Sequence, residues 1–358
     1  MKETKIFILF CFFIFSASCS SPANYTYVTP TILTPIEHSK IQDRRTDFYK
    51  IFCSIVKDNC SDYLFYERTK STSTSTSTLK NTGKKHKKAM RIVIVPGIFG
   101  ECMDDEVLPF MYSSLSIEKK YPWVTIETIK HLNGRASSSY NSREIKNYFD
   151  NIKLKSNEEL FIISYSKGTT DILYYLENLY FGTPKISSLV SISGVVMGTP
   201  VADLVGKSGD YLAKSIPIPT CPSQDDSGIP SLTLKNQINW LAKSNRAFNH
   251  NINMYSIVSL SKNKNTSKIF KSTHYYLNKT QGVNDGQVAG SSQILPNSSL
   301  LGYFNADHWA IILPFENTDK NKLNSKNKII KNLANKNKFP REALLESIVI
   351  LLDRQNSN

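Results

Sequence analysis

Two metal-binding signatures are missing from these 358 residues: there is no His-Glu-x-x-His and no Cys-x-x-Cys. Metal catalysis therefore has no motif to stand on, and no metal or other cofactor is expected. Long apolar runs are missing as well. The ten residues Ile6–Phe15 are too few to span a bilayer as a permanent helix. Acidic residues are under-represented, 30 against 44 basic ones, for a net charge of +14, but the excess is local. Lys80–Arg91 and Asp319–Lys338 carry a net +12 between them, leaving +2 for the rest of the chain. Neither run interleaves aromatics that would stack on bases, so no nucleic acid is expected as a partner. Both read as solvated linkers, with attraction to an anionic membrane surface or envelope polymer as the functional reading.

What is there begins with an address. Lys2 and Lys5 precede the apolar run, and Met1–Ser18 reads as a signal peptide, so the mature protein is expected to be exported, in the cell envelope or secreted. Ser16-Ala17-Ser18 suits ordinary cleavage, while Cys19 directly after it resembles a lipoprotein signal and is the candidate lipidation site. Ser16 stands where that pattern carries leucine. Export permits disulfides. Cys53 and Cys60 form the local candidate pair; seven residues on one straight helix would separate them by roughly 10 Å, beyond the roughly 7 Å a disulfide tolerates. The bridge therefore requires the helix to end near Asp58-Asn59, and two unpaired cysteines packed as small apolar residues is the alternative.

Residues 19–89 divide into a polar tether, a short helix around Asp47–Val56 that should pack on the main domain, and a Ser/Thr/Lys-rich linker containing Ser71–Thr78. From 90 to 354 strand-like and helix-like segments alternate. The strands are Arg91–Val95, Trp123–Ile129, the apolar run before the Ser164 turn, Ile186–Ile192, Tyr255–Leu260 and Leu300–Phe304. Helices are expected from about Asn141 to Ile152, after Ser166 to about Tyr180, and from Phe339 to Leu352 with Pro340 in its first turn. This is the α/β pattern of a mostly parallel sheet with helices on both faces. The alternation lapses at about 204–251, where Leu232–Phe248 has helical spacing; an insertion there would cover one edge of the sheet as a helical lid.

Around Ser166 the apolar run Leu160–Ile163 meets a tight turn, Ser164-x-Ser166-x-Gly168, and then helical spacing at Ile172, Leu173 and Leu176. Strand, sharp turn and helix make a nucleophile elbow, in which small residues on either side let strand and helix approach while the serine is held out at the strand's end. Partners follow downstream. Asn284-Asp285-Gly286 places an acid in a tight turn, and His308 lies in a loop after the last strand. Of the histidines after the elbow, His250 follows the insertion helix and His274 lacks an acid-bearing turn before it, which favours His308. Asp203 and Asp171 are fallback acids, Asp171 reading as a structural cap or surface charge; Asp307 points away from its neighbour. Upstream, Pro96-Gly97-Ile98-Phe99-Gly100 ends a strand with free backbone N–H groups. The amide of Ile98 or Phe99, with that of Lys167, would form an oxyanion hole.

Taken together, Val95–Glu101, Ser164–Gly168, Gly198–Pro200, Asn284–Gly286 and Asp307–Ala310 resemble bacterial α/β-hydrolases of the triacylglycerol lipase type, with a Tyr-Ser-Lys-Gly elbow and an Arg-x-Ser-Ser-Ser loop at Arg135–Ser139. The resemblance covers roughly 90 to 352. It implies the α/β-hydrolase fold, the triad Ser166, Asp285 and His308, and hydrolysis of an ester or lipid substrate. Ser164 replaces the elbow's first glycine, and Pro96 replaces a histidine before Gly97. Two other readings use the same residues: an acyltransferase or amidase, and a non-catalytic envelope-associated binding protein on a hydrolase fold.

Overall fold

Alternate residues of Ala89–Val95 (β2) and Glu158–Tyr165 (β4) enter different layers of the core. Ile92, Ile94, Phe161 and Ile163 join one cluster, while Val93, Val95, Leu160 and Ile162 join the other. A strand with side-chain period two that is covered on both faces needs apolar residues at every position, hence the unbroken runs in the sequence. The computed structural model describes residues 40–65, 88–98, 108–130, 132–208, 227–314 and 339–356.

Five further strands complete the sheet: Gln42–Asp43 (β1), Val124–Thr128 (β3), Ile186–Ile192 (β5), Asn253–Leu260 (β6) and Ser299–Asn305 (β7). Their order is β1-β7-β6-β5-β4-β2-β3, and every pairing is parallel. Register brings Val95, Ser164 and Ser191 side by side, and Leu260 beside Asn305. Every loop that follows a strand therefore opens on the same edge, where ligands bind in such sheets.

Helices Arg45–Val56 (α1), Met111–Lys120 (α2) and the C-terminal Arg341–Asn356 cover one face, contributing Phe48, Phe52, Ile117, Leu344 and Ile348 to its cluster. Ser138–Asn151 (α3) and Lys167–Asn178 (α4) cover the other through Ile145, Phe149, Ile172, Leu173 and Leu176. The early helix is integral to the core. Phe48, Tyr49 and Phe52 set their rings edge-on to Phe304, and the Tyr49 hydroxyl accepts from the Tyr303 amide at 2.7 Å.

Cys53 and Cys60 are joined by a disulfide with Cα atoms 5.3 Å apart. Helix α1 stops at Val56, where the helical spacing ends and close to the Asp58-Asn59 end that the bridge requires, and Lys57 and Asn59 take φ of 64° and 59°, which reverses the chain. Two expectations need correction. Helix α3 starts at Ser138, earlier than Asn141, because the Ser137 hydroxyl accepts from the Tyr140 amide at 3.1 Å and caps it. Leu232–Phe248 is not one helix: Leu234–Leu241 is flanked by the short helix Gly228–Ser231 and a single turn at Arg246–Phe248. Helices α2 and Lys271–Thr280 and the strand β1 had no sequence counterpart.

Candidate active site

Ser166 lies between β4 and α4 with φ 53° and ψ −127°, the left-handed region that a non-glycine residue adopts only when its surroundings impose it. The surroundings are close. A Cβ on Gly168 would sit 2.3 Å from the Pro96 carbonyl oxygen and 2.4 Å from that of Val95, and one on Gly97 would lie 2.9 Å from Cβ of Ser166. Only glycine fits at both places. Ser164, where glycine is usual, is accommodated because its buried hydroxyl meets Thr169 Oγ1 at 2.9 Å, which in turn meets Ser191 Oγ at 3.1 Å.

His308 Nε2 is 2.8 Å from Ser166 Oγ, and His308 Nδ1 is 2.7 Å from Asp285 Oδ2. The Asn-Asp-Gly turn holds the acid: the Gly286 amide donates to Asn284 Oδ1 at 2.8 Å, and Gly286 has φ 95°. Asp285 Oδ1 accepts from the amides of Gln287 and Val288 at 2.9 and 2.8 Å. Its Oδ2 accepts additionally from Ser259 Oγ at 2.7 Å and Gln293 Nε2 at 3.3 Å. The His308 amide donates to the Asp285 carbonyl at 2.9 Å, and the Tyr165 hydroxyl donates to the His308 carbonyl at 2.7 Å. Exposure is 6% for Ser166, 4% for His308 and 0% for Asp285, so water barely competes for these bonds. A carboxylate only accepts, so it keeps the proton on Nδ1 and leaves the Nε2 lone pair facing the serine hydroxyl. That arrangement can take a proton from a hydroxyl as it attacks.

No family model and no curated protein matches the sequence. Solved structures do match. The metagenomic carboxyl esterase MGS0156 is similar with a TM-score of 0.73 at 26% identity, over 92% of this chain and 97% of that one. The chain is an α/β-hydrolase. Lipase 1 from Pelosinus fermentans shares the fold alone, with a TM-score of 0.50 at 11% identity over 75% of this chain and 99% of that one.

The other candidate residues of this α/β-hydrolase fall in different places. The amide of Lys167 opens α4, where no intrahelical acceptor exists, and Ile98 follows Gly97 beside the serine. Phe99 lies outside the described residues, as do Cys19, the signal segment, Ser71–Thr78, Asp319–Lys338 and 209–226 of the insertion. Asp203 accepts from the Leu234 amide at 3.3 Å and, among the described residues, has no bond to a histidine. Asp307 accepts from the Ser267 amide and hydroxyl at 2.8 and 2.5 Å and from the Ala310 amide at 2.9 Å, which fixes the histidine loop. Burial raises its carboxyl above the usual range. Asp171 is not a surface charge: it is 2% exposed and paired with Lys167. His250 and His274 bond the carbonyls of Leu176 and Ser261. Among the described residues no three His, Cys, Asp or Glu side chains gather as a metal site.

Sequence reasoning missed the residues behind the acid. Gln293 donates to the Ser259 carbonyl at 2.9 Å and accepts from its amide at 2.9 Å, while Ser193 Oγ lies 2.6 Å from Ser259 Oγ. Nothing linear marks Gln293, which lies between Ala289 and Leu295 in a single helical turn.

Proposed function

We propose that this α/β-hydrolase is an exported serine hydrolase that cleaves carboxylic esters, with lipid-like acyl esters as the favoured class, through Ser166, His308 and Asp285. The observation that carries the reading is the continuous relay from Ser166 Oγ through the imidazole to a fully buried carboxylate that accepts three further classes of donor: amide, hydroxyl and side-chain amide. His308 Nε2 takes the hydroxyl proton as Oγ bonds to the ester carbonyl carbon. The oxyanion forms beside the amide of Lys167 and that of Ile98 or Phe99, and Asp285 stabilises the imidazolium. The C–O bond to the leaving alcohol then breaks as His308 returns the proton to it. Water attacks the acyl-enzyme by the same sequence and releases the acid. Likeness to a carboxyl esterase supports esters over amides.

Lipid-like chains are supported by the insertion at 204–251, read as a lid: the Gly228 amide donates to the Arg135 carbonyl at 2.7 Å, and Leu232 and Ile229 pack with Val195, Val288 and Ile98 at the catalytic edge. Export is supported by the signal-like start and by the Cys53–Cys60 bridge, which an oxidising compartment permits. Cys19 is the attachment point if a lipid is carried. Among the described residues no helix is long and apolar enough to cross a membrane.

Labelling with a fluorophosphonate probe tests the core of the reading. Wild type should label and Ser166→Ala should not; a wild type that stays unlabelled, or an alanine variant that labels, overturns it. A series of p-nitrophenyl esters, with and without added alcohol, then separates short-chain esterase from lipase and hydrolysis from acyl transfer.

A further inference from the structure

Lys167 stands where a lysine is least expected. Its side chain is 0% exposed, and it occupies the first helical position of α4, where the helix dipole disfavours a cation. It also directly follows the nucleophile. Its ammonium donates to both oxygens of Asp171, one turn along the helix, at 2.7 and 2.8 Å. Asn141 Nδ2 donates to the same Asp171 Oδ2 at 2.8 Å and to the Asn133 carbonyl at 2.9 Å, which ties the pair to the start of α3 and to the loop before it. A buried ion pair is a weak source of stability, because the loss of hydration offsets the attraction and an apolar pair of similar volume does as well. The pair calls for another role.

The rest of that turn supplies the context. Gly168 is fixed by contact with the Val95 and Pro96 carbonyls, Thr169 by Ser164 and Ser191, and Thr170 by its hydroxyl donating to the Val195 carbonyl at 2.6 Å. Each residue of the first turn is held separately, as a preorganised donor array requires. We propose that Lys167 is a positioning residue, whose side chain, clamped by Asp171 and Asn141, holds the backbone amide of the same residue against the oxyanion that forms at Ser166. The role rests on the serine-hydrolase reading above.

The test is the double variant Lys167→Met/Asp171→Leu, which removes both charges together, so that neither is left buried alone. The control is Lys146→Met/Asp150→Leu, an exposed pair at the same spacing on α3 with its partners 2.5 Å apart. With a p-nitrophenyl ester, kcat of the Lys167 variant should fall by up to about a hundredfold, the cost of misplacing a reacting group or donor by about 1 Å. KM should stay unchanged. Affinity for an alkylboronic acid, whose adduct with the serine is tetrahedral, should fall by the same factor, while the control matches wild type. A folded variant with kcat and boronate affinity within about twofold of wild type overturns the proposal, as does a loss confined to KM. Should the double variant not fold, Lys167→Arg carries the same readouts, since a longer guanidinium cannot keep the lysine geometry in a closed site. Fluorophosphonate labelling of wild type keeps the two failures apart: no label removes the serine-hydrolase reading itself, whereas a labelled wild type beside an indifferent variant removes only the positioning role.

Discussion

Asp285→Asn removes one negative charge and almost no volume, and the geometry says why it should disable the site. The carboxylate accepts at both oxygens: two amides at Oδ1, and His308 Nδ1, Ser259 Oγ and Gln293 Nε2 at Oδ2. An asparagine has one acceptor oxygen. If its NH2 faces His308, the imidazole must give up the Nδ1 proton and carry it on Nε2, pointing at Ser166 with no lone pair to receive the hydroxyl proton. If the amide flips, the NH2 meets the N–H groups of Gln287 and Val288 and two buried donors lose their acceptor. In the first orientation the His308 and Ser259 bonds survive with donor and acceptor exchanged and only the Gln293 bond is lost, so the wrong tautomer should dominate. Loss of the correct tautomer in a triad is worth about 10⁴ in kcat, or about 5 kcal/mol of transition-state stabilisation, with little change in KM. Steady-state hydrolysis of a p-nitrophenyl ester reads this directly. Asp307→Asn, one residue from the histidine, should lower stability through the Ser267 and Ala310 contacts while sparing the tautomer. A loss below about tenfold for Asp285→Asn, against the 10⁴ expected, would refute the assignment, and a larger effect at Asp307 would reassign the acid.

Ser164→Gly should keep most of the activity that Ser166→Ala abolishes, because among the described residues its hydroxyl bonds within the Ser164–Thr169–Ser191 chain alone, at a stability cost of about 1 kcal/mol readable by urea denaturation. Replacing Cys53 and Cys60 by alanine should lower stability by about 2 to 3 kcal/mol, the chain-entropy figure for so short a loop; an unchanged denaturation midpoint would mean the bridge is not formed in solution. His274 is buried against the Ser261 carbonyl, and burial holds its pKa below the ordinary 6.5. The folded state thus favours the neutral ring, and this contribution is present above pH 6.5 and lost as pH falls below it. Denaturation curves at a series of pH values should show His274→Gln losing less stability than wild type over that acid range; equal slopes would count against it.

The elements legible in the sequence were those whose pattern is local. Strands β2 and β4 carry the unbroken apolar runs Ile92–Val95 and Leu160–Ile163 because both faces are covered, β5, β6 and β7 are mostly apolar with small buried serines such as Ser191 and Ser259, and α4 shows its spacing because one face meets the sheet. Helices α2 and Lys271–Thr280 hid because they bury little: α2 buries Ser113 and Ile117 and leaves Leu115 at 55% exposure, and the other buries Thr273, His274 and Leu277. Such helices owe their existence to packing more than to propensity. The Leu232–Phe248 spacing misled for the converse reason, since apolar periodicity says nothing of where Lys243-Ser244-Asn245 ends a helix.

By itself, the sequence determined that a serine would stand in a strained turn between strand and helix, since Gly97, Gly168 and the apolar run are local demands of backbone packing. It also determined the order of serine, acid and histidine along the chain. Only the tertiary structure decided which acid faces His308, because Asp171, Asp203, Asp285 and Asp307 are alike as residues and differ only in what packs around them. Asp171 turned inward to a lysine, Asp203 took the Leu234 amide, Asp307 took Ser267, and Asp285 was left beside the imidazole. Gln293 belongs to the same category, as does the burial of the Lys167–Asp171 pair, whose spacing is local but whose enclosure is not. Hydrogen bonds between segments far apart in sequence are fixed by parallel strand register, which no local pattern encodes.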